Sequence, residues 1–65
     1  MILKKIGEQC KEFRQYMNFA QTDVAKATGY TVENISKFEC GRNNNLKIYL
    51  WYVKKGLNDY LREKN

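Results

Sequence analysis

Three glycines divide most of this chain into lengths that suit only short helices. Gly29, Gly41 and Gly56 stand twelve and fifteen residues apart, and no proline occurs anywhere. Glycine just past the last residue of an apolar helical pattern is a common stop signal. Ahead of these stops, Leu3, Ile6, Cys10, Phe13 and Met17 recur at steps of three and four, which is one face of a helix spanning about 2–17. Gly7 lies inside that helix, where glycine costs about 1 kcal/mol relative to alanine, so close packing against a neighbour is the expected reason for it. A two-turn helix follows at 21–28 with Val24 and Ala25 inward, and Phe19 is placed to staple its entry. Thr31 supplies an N-cap hydroxyl for a third helix at 32–39, whose inward residues are Ile35 and Phe38. Arg42 to Asn45 is a polar loop, a fourth helix covers 46–55, and a tail helix carries Leu57, Tyr60 and Leu61 on one side. The expected fold is an all-α, compact bundle of five helices forming one domain over 1–65.

Size and composition narrow the function classes. Sixty-five residues leave no room for a scaffold plus an enzyme cleft with a lid, and a core this small gains from a partner subunit. Twelve Lys and Arg against seven Asp and Glu give a formal charge of +5, which favours a polyanionic partner. Histidine is absent and the two cysteines stand thirty residues apart, so no metal quartet and no disulfide scaffold can be assembled. Cys10 reads as a core thiol and Cys40 as a free one. The longest apolar run, Ile48 to Val53, is too short to cross a bilayer, and the first ten residues lack the apolar stretch of a signal peptide. No nucleophile stands with a base. The expectation is a non-enzymatic cytoplasmic protein with no cofactor, no membrane partner and no small-molecule substrate.

The informative block is Gln21 to Arg42, QTDVAKATGYTVENISKFECGR. Two short helices meet at a tight turn on Gly29, with Ala25, Gly29 and Ile35 at the contact points between them. Such a unit projects its second helix outward, where it suits a major groove about 12 Å wide. Together with Ile6-Gly7, Arg14, Phe19-Ala20-Gln21, Val24-Ala25, Ile35-Ser36 and Glu39-x-Gly41-Arg42, the block resembles the lambda-repressor and Cro-like helix-turn-helix domains of phage repressors and bacterial regulators. The resemblance covers more than half the chain and is looser after Gly41. It implies the five-helix lambda-repressor-like fold, with helices 2 and 3 as the helix-turn-helix. It further implies an ion pair between Arg14 and Glu39 that fixes helix 3 onto helix 1. Gln21, Thr31, Arg42, Asn43 and Asn44 match positions that grip the DNA backbone, while Val32, Glu33, Ser36 and Lys37 match the base-reading face. Lys37 suits guanine O6 and N7, Glu33 suits cytosine N4, and Val32 suits a thymine methyl. Two features depart from the family pattern. A glutamine common at the position of Val32 is missing, and Glu33 sets a negative charge toward the duplex. Within 20–42 the cations Lys26, Lys37 and Arg42 are balanced by Asp23, Glu33 and Glu39, so the surplus lies in Lys4, Lys5, Lys11, Lys47, Lys54, Lys55 and Lys64.

The fourth helix, LKIYLWYVKK, is apolar or aromatic at all six positions from Ile48 to Val53. A surface helix needs an apolar stripe on one side only. With Leu50 and Val53 assigned to the core, helped by Leu46 and Tyr49, Trp51 or Tyr52 is left facing outward with Ile48 close by, a patch extended by Tyr60; the plainer alternative is a slightly larger core that wraps the tail helix. That patch is the expected homodimer interface, over about 46–64. In the resembled family such a dimer sets two reading helices about 34 Å apart and recognises an approximately palindromic site. The function implied is a sequence-specific regulator of transcription acting on double-stranded DNA, a repressor of phage or mobile-element type, with a protein antagonist as one means of control. Two other readings stand beside it: an interaction module (antirepressor or antitoxin-like) working through helix 4, and a nonspecific nucleic-acid binder using the scattered lysines.

Overall fold

The computed structural model describes residues 2–64, and side chains from 5 to 63, so Leu3, Lys4 and Lys64 lie outside the side chains described. Five helices follow one another: α1 (Ile2–Tyr16), α2 (Gln21–Thr28), α3 (Val32–Glu39), α4 (Leu46–Lys55) and α5 (Leu57–Lys64). No strand occurs among the described residues. None of the helices is long and apolar enough to cross a membrane, among the described residues.

Every helix contributes to a single core. Cys10 and Phe13 come from α1, Val24 and Ala25 from α2, Ile35 and Phe38 from α3, Ile48 and Tyr52 from α4, and Leu57 from α5. Full burial of one large apolar side chain is worth about 1.5–3 kcal/mol, so a core of this size leaves little margin for defects. The Tyr52 ring lies parallel to Phe38, with centroids 6.1 Å apart, and edge-on to Phe13 at 6.4 Å. Gly7 explains how α1 and α3 approach so closely. A Cβ built there would meet the Phe38 carbonyl oxygen at 2.5 Å and that of Glu39 at 2.7 Å. Only a residue without a side chain lets the two backbones cross at this point.

Two sequence expectations need correction. α1 stops at Tyr16, and Met17, assigned to its inner face, is 41% exposed. The cause is Asn18, whose φ of 62° is left-handed and turns the chain away one residue after Met17. Asparagine tolerates that region better than other residues with a Cβ. The second correction concerns the rotation of α4. Ile48 and Tyr52, expected in a dimer interface, are fully buried in the chain's own core. Leu50 and Leu46, expected inside, are 45% and 65% exposed. Val53 and Tyr49 are half-buried, and Trp51 is half-buried edge-on against Phe19, with centroids 5.6 Å apart. An all-apolar run carries no periodicity, and the tertiary contacts set the phase.

Candidate nucleic-acid interface

The segment from α2 to α4 is built around a short turn and a buried polar hub. α2 ends at Gly29, whose φ of 81° turns the chain while its N–H donates to the Ala25 carbonyl at 2.9 Å. A residue with a Cβ is strained in that conformation. Only Gly29, Tyr30 and Thr31 separate the two helices. Thr31 then caps α3, its Oγ1 accepting from the Asn34 N–H at 3.2 Å. Such a cap is worth about 1 kcal/mol.

Behind α3 stands Glu39, whose side chain is 2% exposed. Arg14 donates to both of its carboxylate oxygens, Nε at 2.8 Å and Nη2 at 3.2 Å. The Tyr52 hydroxyl donates to the same carboxylate at 2.7 Å, and Gln21 Nε2 donates at 3.2 Å. Arg14 Nη1 also donates to the Phe19 carbonyl at 2.9 Å, tying the entry of α2 to α1. Four helices therefore converge on one carboxylate. Among the described residues no buried side-chain nitrogen or oxygen lacks a partner. The hydrogen bond to Glu39 raises the affinity of the Arg14 guanidinium for its proton. Burial, and then the bond to Glu39, push the Tyr52 phenol up from its ordinary value. The Cys10 thiol, beside the same charge, is pushed up to about 12, mainly by burial.

This anchoring leaves the opposite side of α3 outward. Val32 is 38% exposed, Glu33 and Lys37 are exposed, and Ser36 is half-buried. Their spacing at i, i+1, i+4 and i+5 makes one stripe along two turns. The chain after α3 folds back, with the Arg42 N–H donating to the Lys37 carbonyl at 2.9 Å, so an exposed Arg42 follows directly on the exposed Lys37. Burial of Glu39 against Arg14 also changes the surface charge. Between residues 20 and 42, three exposed cations, Lys26, Lys37 and Arg42, face two exposed carboxylates, Asp23 and Glu33. Asn44 is exposed and Asn43 half-buried, and both border a small groove of about 100 Å³ with Ile6, Phe38, Leu46 and Tyr49.

Gln21 is engaged differently from the sequence expectation. Its amide nitrogen is turned in toward Glu39 rather than out toward a phosphate. At the same helix start, the Asp23 carboxylate accepts from the Ala20 N–H at 2.8 Å and already supplies the negative charge that the helix dipole favours. Two contributors to the site were not foreseen. Tyr52 is the fourth helix's link to Glu39, and Asn45 caps α4 by accepting from the Lys47 and Ile48 amides at 3.0 and 3.3 Å. The asparagine directly before an apolar run was the available signal for the cap. Compared with family models, with curated proteins and with solved structures, the chain finds no match.

Proposed function

We propose that the protein is a sequence-specific DNA-binding regulator of the lambda-repressor-like kind, with α2 and α3 acting as a helix-turn-helix and α3 entering the major groove. The observation that carries this reading is the outward stripe Val32, Glu33, Ser36 and Lys37 on a helix held rigidly from behind by a saturated polar hub. Rigid presentation of a few side chains is what base readout requires, since a good bidentate contact discriminates by about 1–3 kcal/mol. Thr31, Arg42, Asn43 and Asn44 flank the stripe and take the backbone contacts, whereas Gln21 acts as a positioning residue through Glu39. Repression by occupying an operator needs nothing more than this surface, and a separate protein antagonist is one means of relieving it.

Dimerisation belongs to the same proposal, without Ile48 and Tyr52. Tyr16 is 67% exposed and packs on Tyr60 with ring centroids 4.9 Å apart, so the end of α1 together with α5 is the aromatic surface that suits a two-fold partner. The decisive experiment is selection from a pool of randomised duplexes at near-physiological salt. Enrichment of a symmetric site, altered in sequence by Lys37→Ala, supports a dimeric reader. A pool without an enriched sequence, unchanged by Lys37→Ala, sinks it and leaves a protein-interaction module, which Glu33 on the outward stripe would suit.

A further inference from the structure

The outer face of α4 carries a pattern that DNA binding through α3 leaves unused. Lys47, Leu50, Trp51 and Lys54 fall at i, i+3, i+4 and i+7, a single stripe along the helix. They form one side of a shallow groove of about 300 Å³, and Ala27 and Thr28 of α2 form the other. The centre is apolar: Leu50 is 45% exposed, Ala27 is exposed and Trp51 is half-buried. The ends are basic, and a third lysine, Lys55, holds its Nζ 5.5 Å from the Trp51 ring centroid. Among the described residues no carboxylate lines the groove.

We propose that this groove docks an acidic amphipathic helix of another protein. Two apolar side chains of that helix would cover Leu50, Trp51 and Ala27, and carboxylates about two turns apart would pair with Lys47 and Lys54. The two lysines lie about 10 Å apart along the axis, at roughly 1.5 Å per residue, which sets that spacing. Charge complementarity selects this occupant over others. A nucleic-acid backbone has no apolar group to place on Leu50 and Ala27. A second copy docked about a two-fold axis would bring the lysines of both copies together, and like charges across an interface repel.

The test uses the full chain and a synthetic helical peptide of about four turns, with leucines three apart between flanking glutamates, followed through the fluorescence of the single tryptophan and by amide NMR shifts. A second peptide keeps the leucines and replaces each glutamate by lysine. The acidic peptide is expected to bind saturably, with shifts confined to α2 and α4. Lys47→Glu combined with Lys54→Glu should weaken it by roughly tenfold or more and transfer preference to the basic peptide. Leu50→Gln should weaken it with no change of charge preference. All of these side chains are exposed or half-buried, so the variants keep the core intact. The proposal is overturned by no saturable response up to roughly millimolar peptide. Equal response to both peptides overturns it too. So does a single-stranded oligonucleotide titrating Trp51 with the same lysine dependence, or self-association that the double lysine variant abolishes.

Discussion

Replacing Gly7 by alanine sets two well-characterised effects against each other. In a helix interior alanine is favoured over glycine by about 1 kcal/mol, so propensity alone predicts a more stable protein. The crossing of α1 and α3 predicts the opposite. The new methyl would lie 2.5 Å from the Phe38 oxygen, 2.7 Å from the Glu39 oxygen and 2.9 Å from the Glu39 carbonyl carbon. Ordinary contact between carbon and oxygen needs about 3.3 Å, so the helices must part by roughly 0.8 Å. The obstacles are backbone atoms, which cannot swing aside as a side chain would. Overpacking of this kind costs about 1–3 kcal/mol, and the rigid partners put this site near the upper end. The net expectation is a loss of about 1–2 kcal/mol. For a domain of this length that lowers the melting temperature by about 5–15 °C. Thermal and urea melts followed by far-UV circular dichroism measure it. A Gly7→Ala protein that melts above the wild type would refute the close approach of α1 and α3. Gly29→Ala is the informative contrast. Nothing lies within 4 Å of the added Cβ, but the φ of 81° is unfavourable for it. A loss of about 1 kcal/mol should therefore arise there without any clash.

Other expectations bear on the hub, the thiols and the rotation of α4. Glu39→Gln leaves the buried Arg14 charge without its counter-ion and should cost about 3–5 kcal/mol, enough to unfold most of the population, while Tyr52→Phe removes one charged hydrogen bond at about 1.5–3 kcal/mol. Chemical denaturation measures both, and equal small effects would count against the hub. The Cys10 thiol is pushed from 9.0 to about 12, so the unfolded chain ionises first. The stabilisation is complete below about pH 9 and is lost as pH rises toward about 12, with Tyr52 acting in the same direction. Cys10→Val should make that alkaline decline shallower, and an unchanged slope would argue against a buried thiol. A thiol reagent should modify exposed Cys40 at once and Cys10 only as the protein unfolds. Ile48→Ala should cost about 2–5 kcal/mol and Leu50→Ala well under 1, the reverse of an α4 with Leu50 inside and Ile48 outside.

The helices were legible because their boundaries carry local chemistry. Thr31 begins α3, and Gly29 and Gly56 close α2 and α4, at the positions read from sequence. Local caps act within one turn, so no knowledge of the tertiary fold was needed. Arg14 and Glu39 became a candidate pair only through resemblance, since nothing in a one-dimensional pattern brings residues 25 positions apart into contact. The phase of α4 was hidden for a physical reason. When six consecutive residues are apolar, each face can be buried at similar gain, and packing against α1, α2 and α5 decides. Lys47 and Lys54 were the available signal: both must reach water, and they share one side of the helix. Tyr52 lies away from that side, and Leu50 beside it. The end of α1 was missed because it turns on a left-handed asparagine rather than a glycine.

Glu39 binds side chains from α1, α2 and α4 while itself belonging to α3, and α5 takes no part in that set of bonds. The first four helices thus share a common fate. Separating α1 from α3 strands a buried charge, and detaching α2 or α4 takes a hydrogen bond from the same carboxylate, so partial opening within that group is costly. α5 is held by Leu57 in the core, by the packing of Tyr60 on Phe13 and by the Tyr60 hydroxyl donating to Glu12 at 3.4 Å, contacts that all lie outside the hub. Hydrogen exchange should therefore divide the chain into a slow unit through α4 and a faster C-terminal one, separated near Gly56. A molecule with few residues to spare has in this way concentrated its cooperativity in one carboxylate.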